Sequence, residues 1–374
     1  MVDRNMDAFE NFYKNKTVLV TGHTGFKGGW LTAWLKSLGA NVVGLSLPPD
    51  STPNLFEVAQ IDKGMISVLG DIRDSETLYG VIRKHNPEII FHMAAQALVR
   101  LSYQTPVETF DTNVMGTVRL LDAVRRHPSA RVVINVTSDK CYDNTEGGYS
   151  FRESDPKGGH DPYSASKGCA ELVTEAFRHS FFHSAPSGAE RVPLIASARA
   201  GNVIGGGDWA LDRLVPDSMR ALSAGQPVRI RNPDSIRPWQ HVLEPLRGYL
   251  LLAYRLYQEG SKFCGGWNFG PYAHDSLPVR DVVTLITKHW GNGRWEDVSP
   301  KTQSDPGEAK TLRLDCTKAI TELGWRPANT LNDSIRDTVD WYRAYYQDAA
   351  ADPSDLIHQQ IHRYLQRTFE ANNA

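Results

Sequence analysis

Cysteine is scarce in this chain, at four residues in 374, with no C-x-x-C pair and no histidine at zinc-ligand spacing. That usage excludes a disulfide-stapled secreted scaffold and fits free thiols in a reducing compartment. An excess of one charge sign is also missing: 41 Lys and Arg face 43 Asp and Glu, for a formal net charge of −2. So even a balance speaks against a nucleic-acid surface or a polybasic membrane anchor. No apolar run approaches the roughly 20 residues of a membrane span. The first residues, MVDRNMDAFENFYKNK, carry no apolar signal-peptide core. Internal repeats and low-complexity stretches are absent too. The expectation is a soluble, cytoplasmic protein with no metal, membrane or nucleic-acid partner, long enough to form two lobes.

What is present begins at residues 17–22, TVLVTG, a β-branched run suited to a strand buried on both faces. GHTGFKGGWLTAWLKSLG follows, with Gly22, Gly25 and Gly28 ahead of a helix that Gly39 ends. The spacing G-x-x-G-x-x-G lets the backbone turn tightly and approach a pyrophosphate, whose charge a helix N-terminus stabilises. Between a strand and an amphipathic helix, it predicts a dinucleotide site built from Gly22, His23, Gly25, Phe26, Lys27 and Gly28. His23 is expected to cap the helix start or to touch the pyrophosphate. A second strand, NVVGLSL (41–47), puts Ser46 where an acidic residue would grip the adenosine ribose, which leaves NAD and NADP open on local grounds. After ISVLG (66–70), Asp71-Ile72 stands where adenine would lie, although Asp71 equally suits a helix N-cap. After EIIFHM (88–93), Ala94-Ala95-Gln96 are small enough for close cofactor approach, and a helix over 106–126 carries Asn113. The strand RVVINVT (131–137) ends at Thr137. Five strands alternating with helices imply a doubly wound parallel sheet with these segments at one edge.

The stretch from Ile134 to Lys167 carries the chemistry. Ser138, Asp139 and Lys140 put a hydroxyl, a carboxylate and an amine on consecutive positions just past a strand end. Tyr163 and Lys167 lie four apart at the start of a helix over 164–180 and share one face. A lysine ammonium there is expected to lower the phenol's pKa. The phenolate then takes a proton from a sugar or alcohol hydroxyl as hydride leaves the carbon. Taken alone, such a pair is more often a solvated helix face; its company raises it. Past LIASARA (194–200) comes a glycine-rich loop, then PVRIRNPDSIRPWQHV, with Arg229, Arg231 and Arg237 near Trp239 and His241. Guanidinium forks bind phosphates and aromatic planes stack on bases, while a surface strand of alternating charge explains the same pattern equally well before context. The tail after Ser354 has helical apolar spacing and is expected to pack or to contact another subunit.

TGHTGFKG, the Tyr163/Lys167 pair and the two-lobed order together resemble the extended short-chain dehydrogenases/reductases over about residues 16–345. TGHTGFKGGWL, TSDKCYDN, DPYSASKGCAEL, RAGNVIGGGDW, RPWQHVLEPL and PGEAKTLRLD resemble more narrowly the CDP-glucose branch of the nucleotide-sugar 4,6-dehydratases. Relatives acting on dTDP-glucose and GDP-mannose typically carry Thr/Ser-Asp-Glu where this chain has Ser138-Asp139-Lys140.

The resemblance implies a Rossmann-type α/β fold with a smaller C-terminal lobe. Residues 1–200, with returns near 241–272, would bind NAD; 201–240 and 273–374 would bind the nucleotide sugar. It implies NAD contacts from the glycine loop, Ser46, Asp71, Ile72, Ala94, Ala95, Gln96, Asn113, Thr137, Tyr163 and Lys167. CDP-glucose contacts would come from Asn202, Arg213, Arg231, Arg237 and Trp239. It further implies a homodimer through the 106–126 and Tyr163 helices, and a role in O-antigen or lipopolysaccharide deoxysugar biosynthesis. In the implied mechanism Tyr163 deprotonates the 4-hydroxyl, Ser138 orients it, Asp139 protonates the departing 6-hydroxyl, and Lys140 stands at the carbon-5 base. An epimerase or reductase would keep the glycine loop and the Tyr/Lys pair without needing Asp139-Lys140. A non-catalytic NAD-binding scaffold would need none of the three catalytic groups.

Overall fold

The computed structural model describes residues 9, 11–144, 148–182, 192–299 and 312–373. The first part of the PGEAKTLRLD motif, 306–311, lies outside the described residues. Seven strands, β1 (Thr17–Thr21), β2 (Asn41–Ser46), β3 (Ile66–Leu69), β4 (Ile89–His92), β5 (Val132–Val136), β6 (Leu194–Ala200) and β7 (Gly265–Phe269), form one sheet. Their order is β7-β6-β5-β4-β1-β2-β3, and every pairing is parallel. The chain order reverses between β1 and β4, the crevice where such sheets bind their ligands.

The burial pattern explains the architecture. Val18 and Val20, Ile89 and Phe91, and Val132 and Ile134 face one apolar layer with Trp30, Leu31 and Trp34 of the helix Phe26–Ser37. The residues between them, Leu19, Ile90 and Val133, face the other layer with Leu120, Leu121 and Val124 of the helix Gly116–Arg126. Alternation with both faces apolar is what a helix-covered parallel sheet requires. Each fully buried aliphatic side chain contributes roughly 1.5–3 kcal/mol.

Two helices differ from expectation. The segment 106–126 is not one regular helix: Pro106–Phe110 and Gly116–Arg126 are joined by a π-helical turn, Asp111–Met115. That extra residue per turn swings Asn113 inward to 3% exposure. The Tyr163 helix runs Pro162–Phe181, with Pro162 in its first turn and Asp161 accepting the Ser164 amide at 2.9 Å as its N-cap.

After β6, short strand pairs join 203–204 with 240–241, 236–237 with 277–278, and 228–230 with 295–297. The helices Leu214–Ser223, Val279–Trp290 and Leu331–Gln347 accompany them. The final helix, Pro353–Asn373, returns to the glycine-loop helix, where Tyr364 meets Trp34 edge-on at 5.9 Å. Among the described residues no helix is long and apolar enough to cross a membrane.

Candidate active site

The glycine loop is packed backbone against backbone. A Cβ on Gly28 would stand 2.0 Å from the Gly22 carbonyl oxygen, and one on Gly22 would lie 2.8 Å from the Ala94 nitrogen. Gly22 also sits at φ +79°, where a side chain is strained. The helix that follows starts at Phe26 with Gly25 as N-cap and no side-chain cap, so its first amides face the cleft unclaimed. A cradle that side chains would fill, ending at uncapped amides, fits a dinucleotide pyrophosphate.

Around that cradle several expected cofactor residues have other duties. His23 neither caps the helix nor faces the cleft; its ring is fully buried, bonded to Ser67 Oγ at 2.7 Å and wedged under Gly44. Burial holds its pKa down at about 4, so it is a neutral packing group. Ser46 bonds Thr24 at 2.7 Å while Thr24 donates to the Leu47 carbonyl, so the Ser46 hydroxyl is the donor between them. Asp71 does not cap the next helix. Asp74 does, and Asp71 clasps the Arg73 guanidinium at 2.8 and 2.6 Å, which holds its carboxyl below the usual range. The Ile72 side chain is buried and packs against Gly116 rather than facing an adenine.

Asn113 is a clamp. Its amide takes the Gln96 backbone N–H at 2.8 Å and donates to the Gln96 carbonyl and to Ser166, and Ser166 donates to the Tyr163 carbonyl. It ties the loop after β4 to the Tyr163 helix. The Thr137 hydroxyl donates to Glu171. Lys27 donates to the Tyr249 hydroxyl at 3.1 Å, and burial with the charges of Lys167 and Arg213 brings it down to about 7.

At the end of β5, Ser138, Asp139 and Lys140 enter one turn of 3₁₀ helix, Asp139–Cys141. Ser138 Oγ donates to Asp139 Oδ1 at 3.0 Å, accepts the Lys140 amide at 3.2 Å and is hydrogen-bonded to Tyr163. Asp139 is 3% exposed; its Oδ2 has no partner and lies where Gly201 leaves room, since a Cβ there would come within 2.6 Å. Burial pushes its pKa up against the pull of Lys140, the Ser138 hydroxyl and Arg237. Tyr163 is where expectation and structure part. Burial raises its phenol to about 12, with the Ser138 hydrogen bond and the Arg213 charge opposing, while the Lys167 ammonium lies 6.0 Å from the ring centre. Desolvation of the phenolate outweighs the nearby cations. Lys167 itself is lowered by burial to about 8.

Two residues that sequence reasoning passed over lie beneath this centre. Glu171, one turn after Lys167, accepts from Thr137, from Ser197 at 2.7 Å and from Arg199 at 2.5 Å. Arg199 in turn holds the Tyr142 hydroxyl at 2.7 Å. The i, i+4 register from Lys167 was the available signal for Glu171. Ser102 also went unmarked; its Oγ accepts the Tyr163 amide at 3.2 Å.

Toward the second group of elements the arginines separate. Arg237 is 8% exposed and close enough to influence Asp139, and Trp239 is equally buried, with no partner for its indole N–H. Arg213 pairs with Asp208 at 3.0 Å and influences Tyr163. Arg231 is half-exposed and pairs with Asp212 at 3.3 Å. The Asn202 carbonyl accepts the Gln240 amide at 3.0 Å.

The chain matches the GDP-mannose 4,6 dehydratase family over residues 19–338 and belongs to it. It is 53% identical over 338 residues, 90% of this chain and 93% of the relative, to the CDP-glucose 4,6-dehydratase of Salmonella typhimurium. Among solved structures, the dTDP-glucose 4,6-dehydratase DesIV of Streptomyces venezuelae, determined with NAD bound, superposes with a TM-score of 0.74 at 25% identity. That match covers 88% of this chain and 99% of DesIV. A UDP-glucose 4-epimerase of Thermus thermophilus reaches the same TM-score at 24% identity, over 90% of this chain and all of the epimerase, and shows the shared fold alone.

Proposed function

We propose that this chain is an NAD-dependent CDP-glucose 4,6-dehydratase, a hydro-lyase that forms CDP-4-keto-6-deoxyglucose and water. The observation that carries the reading is the Ser138-Asp139-Lys140 turn against Tyr163, with Asp139 buried and its free oxygen turned toward Gly201. An epimerase or reductase has no need of a buried carboxyl with a raised pKa beside the serine. The relative at 53% identity supports the dehydratase reading and the choice of nucleotide.

The residues divide the work as follows. The glycine loop, with Gly22, Gly25 and Gly28, would hold NAD through backbone amides, and Lys27 closes its inner side against Tyr249. When bound, NAD supplies a hydride acceptor for carbon 4, a hydride donor for carbon 6 and a positive charge in the cleft. Tyr163 Oη takes the proton from the 4-hydroxyl, and Ser138 Oγ holds the same oxygen. A phenol at about 12, with Arg213 already acting on it, needs further positive charge to ionise near neutrality, and bound NAD would supply it. Asp139, whose pKa burial pushes up, is the acid that delivers a proton to the departing 6-oxygen. Lys140, half-buried on the same turn, takes the proton from carbon 5. Arg231, Arg237 and Arg213 bind the diphosphate, Trp239 flanks the nucleotide and Asn202 the sugar side.

In this reading 1–200 with 241–272 form the NAD lobe, and 201–240 with 273–374 the nucleotide-sugar lobe. The protein is a cytoplasmic homodimer making a deoxysugar for O-antigen or lipopolysaccharide. Exposed apolar side chains on the two long helices, Val107, Phe110, Met115 and Leu172, support the dimer.

The decisive experiment is incubation with CDP-glucose and NAD⁺, followed by alkali to reveal a 4-keto sugar. Product without net NADH is expected; no product with CDP-glucose but product with dTDP- or GDP-sugars would overturn the nucleotide choice alone. Lys140→Ala should stall after oxidation and accumulate bound NADH, and normal turnover would move the carbon-5 base elsewhere.

A further inference from the structure

Arg100, Asp212 and Arg231 form a cluster of which the dehydratase reading above uses only Arg231. Arg100 belongs to the short helix Val99–Gln104 beside the loop after β4. Arg231 follows the short strand Val228–Ile230, far along the chain. Both guanidinium groups converge on the same carboxylate oxygen, Asp212 Oδ1, at 3.0 and 3.3 Å. Asp212 presents that oxygen from a tight turn in which its own φ is +60°, a left-handed conformation uncommon for a residue with a side chain. The next residue is Arg213, whose charge acts on the Tyr163 phenol.

We propose that Asp212 is a built-in stand-in for the substrate's diphosphate, and that Arg100 is a further guanidinium for that group. This rests on the nucleotide-sugar reading above. Two arginines from distant segments sharing one acceptor is the geometry in which a phosphate is gripped. The side chains of all three residues are about half exposed, at 50%, 52% and 48%. Ion pairs so exposed hold weakly and exchange easily. A diphosphate carries more charge than one carboxylate and more acceptor oxygens, so it displaces Asp212 from both arginines. The same turn carries Arg213, so the exchange links occupation of the phosphate site to the placement of a cation that favours the Tyr163 phenolate. The empty enzyme thereby keeps two otherwise repelling guanidinium groups together.

The test is calorimetric titration of the full-length protein with CDP, comparing wild type with Asp212→Asn, Arg100→Ala and the double variant. Asn keeps the left-handed turn accessible and removes the charge. Asp212→Asn should bind CDP about three- to tenfold more tightly, and Arg100→Ala about tenfold more weakly. In the Arg100→Ala background, the gain from Asp212→Asn should shrink, because the competing pair is already broken. Asp212→Gly, which is at ease at positive φ, should repeat the tightening. Unchanged or weaker binding in both Asp212 variants would overturn the stand-in, since the carboxylate would then be holding the arginines in place. Wild-type affinity in Arg100→Ala would overturn the role of Arg100. Failure of the wild type to bind CDP at all would instead bring down the nucleotide-sugar reading, and this proposal with it.

Discussion

Two clusters of charge in this molecule are built on opposite plans. Beneath the reaction centre, Glu171 and Arg199 meet at 2.5 Å with each side chain only 4% exposed, and the Thr137, Ser197 and Tyr142 hydroxyls are drawn into the pair. Elsewhere, Arg100 and Arg231 share Asp212 with all three side chains about half exposed. Breaking a pair of the first kind leaves a buried charge unanswered and costs about 3–5 kcal/mol, whereas a pair of the second kind is worth about 0–1 kcal/mol. The contrast matches the work. Thr137, bonded to Glu171, immediately precedes Ser138 and Asp139, so the floor of the centre is held rigidly where proton transfer needs fixed distances. At the proposed phosphate end, loose pairs would let a highly charged ligand enter and leave.

Buried carboxylates alone already show how much the partner matters. Glu171 and Glu244 are both buried, at 4% and 1%, yet their carboxyls shift in opposite directions. Although burial pushes upward on both, Arg199 and the Thr137 and Ser197 hydroxyls hold Glu171 below its ordinary value. Glu244, with the Ala328 and Asn329 amides, the Tyr364 hydroxyl and only the smaller pull of the Arg247 charge to oppose burial, is pushed up to about 7.

The largest effect should come at the fixed end. Tyr163→Phe should slow oxidation of the sugar by about 10²- to 10⁴-fold while CDP still binds, read as bound NADH in a single turnover. Retained turnover would erase the distinction between the two ends as far as the base is concerned. Arg199→Met should destabilise the fold by about 3–5 kcal/mol in urea titration, because Glu171 is left charged and buried. A loss below about 1 kcal/mol would place this pair with the surface ones.

Glu244→Gln sharpens the same rule through pH. A carboxyl raised from about 4.5 to about 7 binds more protons folded than unfolded, so its contribution is complete below about pH 4.5 and lost as pH climbs through about 7. Wild type should therefore lose about 3 kcal/mol relative to Glu244→Gln between about pH 4.5 and about pH 8. Parallel stability curves for the two proteins would show that Glu244 titrates normally. Smallest is Arg237→Ala, expected to weaken CDP-glucose binding by about 1–3 kcal/mol with little change in stability, as for one charged hydrogen bond. Unchanged binding would move the phosphate site off Arg237.

Much of the site was legible along the chain. Strand ends carry the functional turns, and β-branched runs mark strands closely: the run at 41–47 became β2, Asn41–Ser46, and that at 66–70 became β3, Ile66–Leu69. The helix bearing Tyr163 was placed within two residues at its start. What went unread were partners distant in sequence. Nothing in TSDKCYDN announces that Thr137 belongs to Glu171, or that Gly201 makes room for Asp139. His23 was misjudged because its neighbours in sequence are loop residues, while its neighbours in space are Ser67 and Gly44 of the sheet. The clamp that Asn113 forms went unread because the π-helical turn that directs it inward leaves no mark in a pattern of period 3.6.

By itself, then, the sequence determined the sheet, its parallel order of strands and helices, and the residue types gathered at its C-terminal edge. Those follow from local periodicity and from turns that only glycine can make, both properties of neighbouring residues. Tertiary structure alone decided the protonation of the site. Tyr163 rises to about 12, Lys167 falls to about 8, and Asp139 shifts upward, each chiefly because burial strips water from the charged form. Desolvation depends on everything packed around a group, and most of that comes from far along the chain.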